Sequence, residues 1–206
     1  MKVERYATGI LNTNCYLAIN EETKETVVVD PADCPKYLMR HIKENELKIV
    51  AILLTHGHFD HTMGIDKFLD EYKVPVYVHE EDAAMLEDIE LNLSRVYTSG
   101  YTFSGARTVR DKQILHLAGE DFEVIHTPGH TRGGCCYYVA ADNVLFSGDT
   151  LFQNSVGRTD FETSSMSDLV HSIRDRLFVL PDETHVYPGH MGETMIGHEK
   201  KYNPFI

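Results

Sequence analysis

The chain has 206 residues, of which 42% are hydrophobic, so it is long enough to bury one sizeable core. Its 32 acidic and 19 basic residues give a formal charge of −13, which repels phosphate backbones and anionic lipids. We therefore expect neither a nucleic-acid partner nor a membrane surface. No stretch has the apolar length of a signal-peptide core or a membrane span, so we expect a single cytoplasmic domain over residues 1–206.

The first third of the chain alternates strand and helix patterns. Strands are predicted at Cys15–Ile19, Thr26–Asp30 and Ile49–Thr55, with a helix from about Pro35 to Leu47. The run Ile49–Thr55 is apolar without alternation, which is typical of a strand buried on both faces. The next predicted elements are a helix over Gly64–Tyr72, a short strand over Val74–His79 and an acidic surface helix over Glu80–Ile89.

The second half is richer in strands, after a stretch at residues 91–110 that is interpreted as loop. The predicted strands are Gln113–Leu117, Phe122–His126, Cys135–Ala140, Val144–Ser147 and His185–Tyr187. Short turns join the first four of them, which indicates a meander. Helices are predicted over about Ser165–Leu180 and from Glu193 to about Lys201. Because both halves contain strands and helices, we predict two facing sheets with helices outside, a four-layer α/β arrangement.

Four side chains of the kinds that bind metals occupy six residues directly after the buried strand Ile49–Thr55. They are His56, His58, Asp60 and His61. Gly57 permits a tight turn, so the first two imidazoles can converge while Asp60 and His61 face a second point. Histidine is the commonest metal ligand in proteins, so this spacing predicts a metal site.

The same placement recurs after three later strands. In each case a small or turn-forming residue precedes the ligand-type side chain, which is His130, Asp149 or His190. Loops at the carboxyl ends of several strands converge on one crevice in α/β proteins. The sequence therefore predicts that all seven side chains lie in one site.

Seven ligand-type side chains are too many for one tetrahedral zinc and suit two divalent ions. The predicted sets are His56, His58 and His130 for one ion and Asp60, His61 and His190 for the other, with Asp149 shared. Nitrogen and oxygen ligands suit zinc, which we expect, and also iron or manganese.

The remaining histidines and the cysteines are expected to have ordinary structural roles. These histidines are His41, His79, His116, His126, His171, His185 and His198. The four cysteines, Cys15, Cys34, Cys135 and Cys136, have no CxxC spacing and are predicted to be buried thiols.

Four motifs in this order resemble those of the metallo-β-lactamase-fold superfamily. They are THGHFDH at 55–61, TPGHTRG at 127–133, SGDTLF at 147–152 and PGH at 188–190. Two further stretches, Val156–Phe161 and the segment from Glu193 to Phe205, are similar to the short glyoxalase II-like hydrolases. The resemblance implies an αββα sandwich, a binuclear metal site and hydrolysis of a thioester such as S-lactoylglutathione or a related small ester.

The resemblance also implies roles for individual residues. A metal-bound hydroxide would attack the substrate carbonyl, Asp60 would orient it, and Arg158 would contact the substrate. We expect a single domain without the C-terminal helical domain with which full-length glyoxalase II enzymes help to hold glutathione, so the thiol carrier stays open. Arg158 has the alternative of an ion pair with Asp160 or a neighbour.

Several other functions are compatible with the same motifs. A persulfide dioxygenase with one iron has a similar Gly-Arg-Thr-Asp-Phe stretch, but Val156 stands where those enzymes have cysteine. A lactonase and a non-catalytic module that binds metal or a partner also remain open. A β-lactamase is disfavoured because no secretion signal is evident, and a nuclease because the chain is acidic.

Overall fold

Two six-stranded sheets form the centre of the molecule, and the computed structural model describes residues 1–206. The first sheet follows chain order, with β1 Lys2–Thr8, β2 Thr13–Ile19, β3 Glu25–Val29, β4 Lys48–Leu53, β5 Val76–His79 and β6 Arg107–Val109. Strands β1 to β3 are antiparallel, and β3 to β6 are parallel. Parallel pairing on both sides of β4 agrees with its apolar sequence.

The second sheet contains the predicted meander. The second half of the chain forms eight strands, β7 Ile114–Leu117, β8 Glu120–His126, β9 Cys135–Val139, β10 Val144–Gly148, β11 Leu151–Phe152, β12 Ser155–Val156, β13 His185–Pro188 and β14 Thr194–Met195. The sheet order is β14-β13-β10-β9-β8-β7, and β11 and β12 pair only with each other. Strands β10 and β13 are parallel, so their carboxyl ends lie at the same edge of the sheet.

The chain has six α-helices, of which the first, third, fifth and sixth pack on the outer faces of the two sheets. They are α1 Lys36–Glu44, α2 Phe59–Thr62, α3 Ile65–Glu71, α4 Ser94–Tyr97, α5 Met166–His171 and α6 Ile196–Tyr202. A π-helical turn at Ser172–Leu177 continues α5, so the long helix predicted over 165–180 is present with an irregular second half. No helix combines the length and the hydropathy that crossing a bilayer requires.

Three hydrophobic cores lie between the four layers of helices and sheets and stabilise their packing. Strand β2 is buried on both faces, with Leu17 packing toward α1 and α3 and Tyr16 packing between the sheets. On the other outer face, α5 and its continuation bury Leu169, Ile173 and Leu177. The predicted αββα sandwich is confirmed, because side chains alternate between two cores along one strand.

Four expectations for local structure were wrong or incomplete. The helix predicted from Glu193 begins at Ile196, because Thr194–Met195 pairs with β13 as β14. The helix predicted over 80–89 is two 3-10 turns, Glu80–Asp82 and Met85–Glu87, because the buried Asp82 bonds to loops elsewhere in the fold. The stretch 91–110 contains α4 and β6, and β6 forms along the free edge of β5. Strand β1 was not predicted, since six of its seven side chains are exposed or only partly buried and its pairing partner β2 stabilises it.

Candidate metal centre

Four loops at the same end of the two sheets bring the ligand-type side chains together. The loop after β4 carries the HGHFDH residues, and the loops after β8, β10 and β13 carry His130, Asp149 and His190. Backbone hydrogen bonds link these loops, from Cys135 N to Thr55 O at 2.8 Å and from Gly189 N to Gly148 O at 2.8 Å. The convergence predicted from strand ends is therefore present in the fold.

The first group consists of three imidazoles. His58 Nδ1 lies 3.1 Å from His56 Nε2 and 3.0 Å from His130 Nε2, and all three side chains are buried. Nitrogen ligands about 2.0–2.1 Å from a tetrahedral zinc would lie roughly 3.3 Å apart. The spacing of these three nitrogens is close to that of ligands around one ion.

The second group combines a carboxylate with two imidazoles. Asp60 Oδ2 lies 3.3 Å from His190 Nε2 and 3.5 Å from His61 Nε2. Thr13 Oγ1 donates a hydrogen bond to the same carboxylate oxygen at 2.7 Å, which orients the Asp60 side chain. The ligand atoms of these three side chains all lie within 4.8 Å of one another, close enough to bind one ion.

Asp149 lies between the two groups. Its Oδ2 is 3.5 Å from His130 Nε2 and 3.6 Å from His190 Nε2, while its Oδ1 is 3.4 Å from His61 Nε2. Asp149 Oδ1 and His61 Nε2 are both buried without a hydrogen-bond partner in the protein. Buried polar atoms are rarely left unsatisfied, so the two atoms fit a bound cation.

Asp30 orients two of the histidines from behind. Its Oδ2 accepts hydrogen bonds from His61 Nδ1 at 2.9 Å and from Thr55 Oγ1 at 2.7 Å. The Thr55 hydroxyl in turn lies 3.2 Å from His56 Nδ1. Because Nδ1 of each imidazole is engaged behind the site, Nε2 faces into it with the lone pair that a metal requires. Asp30 has φ +51°, a conformation that Asp tolerates better than most residues.

Asp82 ties two of the histidine-bearing loops together. Its Oδ2 accepts hydrogen bonds from Gly57 N at 3.0 Å and Thr131 Oγ1 at 2.7 Å, and its Oδ1 accepts one from Gly133 N at 2.6 Å. Burial raises the pKa of the Asp82 carboxyl, and these three donors act in the opposite direction. Asp82 therefore links the backbone beside His58 to the backbone beside His130.

The electrostatics of the site favour neutral imidazoles in the first group. Burial and the neighbouring imidazoles hold the pKa of His56 well below its ordinary value, and burial and His130 lower the pKa of His58 to about 3. Metal ligation requires the neutral imidazole. These two side chains therefore present unprotonated nitrogens at neutral pH.

The second group favours a cation. Burial raises the pKa of Asp60, but His61 and the hydrogen bond with His190 outweigh it and hold the pKa at about 2. Burial likewise opposes ionisation of Asp149, yet His61 holds its pKa well below the ordinary value. Burial lowers the pKa of His61, and the surrounding carboxylates raise it well above its ordinary value. Negative charge around His61 Nε2 thus favours a proton or a metal ion there.

The candidate site opens into a cleft of about 340 Å³ that Arg158 lines. The Arg158 guanidinium forms two hydrogen bonds to Asp160, from Nε to Oδ1 at 2.9 Å and from Nη2 to Oδ2 at 2.8 Å. It also lies over the Phe161 ring, 4.6 Å from the ring centroid. The ion pair that the sequence left as an alternative is therefore present.

Sequence patterns missed the residues that support the ligands from behind. Asp30 ends a predicted strand and Asp82 lies in a predicted helix, so no spacing distinguishes them from surface carboxylates. The seven histidines expected to be ordinary belong to neither of the two groups described above. All four cysteines are free and buried, as predicted.

Comparison with known proteins agrees with the fold and the site. The family model of the Metallo-beta-lactamase superfamily matches residues 8–190. Hydroxyacylglutathione hydrolase GloC of Haemophilus influenzae is 33% identical over 209 residues, covering 100% of this chain and 98% of that protein. The structure of BLEG-1 B3 metallo-beta-lactamase is 38% identical with a TM-score of 0.94 and 99% of both chains covered. That of TTHA1623 in a di-iron-bound form is 34% identical with a TM-score of 0.87, covering 98% of this chain and 100% of that one.

An αββα sandwich with a His and Asp cluster at the ends of its strands defines the class as a metallo-β-lactamase fold. The chain belongs to the metallo-β-lactamase superfamily. It is a metallo-hydrolase of that superfamily, with a cluster suited to divalent metal ions.

Proposed function

We propose that this protein is a metal-dependent hydrolase that cleaves a thioester, or a related small ester, of a small-molecule substrate. The observation that carries the proposal is the convergence of seven ligand-type side chains beneath one cleft, in groups that meet at Asp149. The likeness to Hydroxyacylglutathione hydrolase GloC supports thioesters such as S-lactoylglutathione as the substrate class.

The two groups of side chains would each hold a divalent ion. The sets are His56, His58 and His130 for the first ion and Asp60, His61 and His190 for the second, with Asp149 between them. Such ions lower the pKa of a coordinated water toward neutrality and polarise a carbonyl oxygen. The nitrogen-rich donor set favours zinc, and the likeness to TTHA1623 in its di-iron-bound form supports iron as the alternative.

Asp60 is the side chain best placed to orient the attacking water. Its carboxylate lines the cleft, and the hydrogen bond from Thr13 restricts its rotation. A thiolate leaving group has a conjugate pKa near ~8.5 and needs little protonation at neutral pH. A departing amide nitrogen needs a proton, so hydrolysis of a β-lactam requires a general acid that hydrolysis of a thioester does not. The likeness to BLEG-1 B3 metallo-beta-lactamase favours a β-lactam as the alternative substrate class.

The test combines metal analysis with a substrate screen. The protein is loaded with zinc, iron or manganese, its metal content is measured, and it is assayed on thioesters, a lactone, a β-lactam and glutathione persulfide. We expect two metal equivalents and thioester turnover. Oxygen consumption on the persulfide by a protein holding one iron, without thioester turnover, would contradict the proposal.

The variant His58→Ala tests the cluster itself. We expect it to lose hydrolysis and metal while keeping its fold, since His58 Nδ1 is shared between His56 and His130. The matched control is His116→Ala, whose side chain is 78% exposed and pairs only with Asp121 at the surface. Unchanged turnover in His58→Ala would refute the proposed ligand role.

A further inference from the structure

The walls of the cleft above the metal centre are mostly apolar. Eight of its fifteen lining residues are hydrophobic, among them Phe59, Tyr97, Phe152 and Phe161. A volume of about 340 Å³ is near the lower end for small-molecule sites, so the substrate fills it with few atoms. Contact with these walls is favourable for apolar groups of a substrate and costs free energy for polar groups that lose their water.

The cleft has one cationic side chain outside the histidine cluster, and that cation is neutralised. Both hydrogen bonds of the Arg158–Asp160 pair use the fork of the guanidinium, and the Phe161 ring covers one of its faces. The pair uses Nε and Nη2, so a substrate carboxylate could reach Arg158 only through the remaining N–H groups of a guanidinium whose charge Asp160 already balances. An exposed pair of this kind is weak, but the Asp160 charge remains beside any incoming anion.

A second cavity extends the cleft outward and is acidic. It shares Leu93 and Phe161 with the cleft, and its lining contains three carboxylates, Glu90, Asp160 and Glu162, and no basic residue. A carrier group that leaves the cleft by this side passes these carboxylates. Repulsion between these carboxylates and an anionic carrier makes the free energy of binding less favourable.

We propose that, within the thioester class proposed above, the preferred substrate has an apolar acyl group and a carrier without net negative charge, so that glutathione thioesters such as S-lactoylglutathione are bound less tightly. This inference rests on the proposed thioester or ester hydrolysis. Free glutathione carries a net negative charge at neutral pH. Apolar walls, a neutralised Arg158 and an acidic cavity beside the cleft all act against such a carrier.

The experiment compares two substrates with the same acyl group and the same reacting bond. They are S-butyryl-N-acetylcysteamine, whose carrier is neutral, and S-butyrylglutathione. We expect the neutral thioester to have a KM at least about fivefold lower at low ionic strength, with the difference narrowing as salt screens the carboxylates. A glutathione thioester with an equal or lower KM would overturn the inference.

Variants locate the cause of the preference. Asp160→Asn releases Arg158 and removes one charge, so we expect the KM ratio between the two substrates to fall by about threefold. The control is Asp70→Asn, an exposed carboxylate on α3 that lies outside both cavities. A ratio that Asp160→Asn leaves unchanged would contradict the role given to the ion pair.

A binding measurement separates the two proposals. The non-hydrolysable thioethers S-butyl-N-acetylcysteamine and S-butylglutathione are titrated into the zinc-loaded protein by calorimetry. Tighter binding of the neutral thioether without turnover of any thioester supports the specificity and refutes the proposed reaction. Tighter binding of the glutathione thioether, with turnover, refutes the specificity alone.

Discussion

Replacing Asp82 by Asn is expected to weaken the metal centre although Asp82 is not among the candidate ligands. The carboxylate accepts three hydrogen bonds, from Gly57 N, Gly133 N and Thr131 Oγ1, and Asp82 is fully buried. An amide NH2 in place of one oxygen confronts at least one of these donors with another donor. In the better orientation the amide oxygen keeps Gly57 N and Thr131 Oγ1, and the amide NH2 faces Gly133 N, so one of the three hydrogen bonds between the His58 loop and the His130 loop is replaced by repulsion between two donors.

The expected magnitude follows from the hydrogen bonds that are lost. A hydrogen bond to a charged group contributes about 1.5–3 kcal/mol to the free energy of unfolding. For a chain of this size, each kcal/mol corresponds to roughly 2–4 °C in Tm. Loss of a supporting bond behind a metal ligand typically lowers metal affinity about 10–100-fold. Asp82→Asn should therefore show both a lower Tm and a weaker zinc affinity.

The assay measures stability and metal binding separately. The chain has no tryptophan, so urea unfolding is followed by circular dichroism, and zinc affinity is measured by competition with a chelating dye. The exposed change Asp70→Asn is the matched control and should shift the free energy of unfolding by less than about 0.5 kcal/mol. If Asp82→Asn matches the control in urea midpoint and zinc affinity, then Asp82 does not position the two loops.

Three further predictions concern pH, packing and metal. Burial and the stacked His126 ring, whose centroid lies 4.0 Å from that of His79, lower the pKa of the His79 imidazole to about 4. As pH falls from 6.5, the imidazole of the unfolded chain is therefore protonated before that of the folded protein. The folded state should therefore lose stability from this group as pH falls from 6.5 to about 4, and urea midpoints of His79→Asn should depend less on pH; an identical pH dependence would contradict this. Gly189→Ala would place a Cβ closer than 3.0 Å to Asp149 Oδ1 and His61 Cε1, so its zinc affinity should fall at least about tenfold by dye competition. Zinc at 100 times its Kd should stabilise the wild type by about 2.7 kcal/mol in urea unfolding and stabilise His58→Ala much less; equal stabilisation of both proteins would exclude this cluster as the zinc site.

The sequence alone was sufficient to predict the fold class and the membership of the cluster. Apolar runs and turn residues located most strands, because these patterns depend on neighbours a few positions away. The seven ligand-type side chains follow directly after strands, and strand ends that share an edge bring such residues together. His56 and Asp149 could thus be predicted to share one site although they are 93 positions apart in the chain.

Only the tertiary structure decided how those side chains are held and what surrounds them. Asp82 reaches Thr131 across 49 positions, and Asp30 reaches Thr55 and His61 from the neighbouring strand, which no local period encodes. The long-range hydrogen bonds of Asp82 are also the reason why residues 80–89, predicted as a helix, form two short 3-10 turns. Arg158 and Asp160 are close in the sequence, yet their mutual pairing over Phe161 depends on how the loop closes against the cleft. Hydrogen bonds of this kind form only when two sheets have packed, because packing sets the distances between residues far apart in the chain.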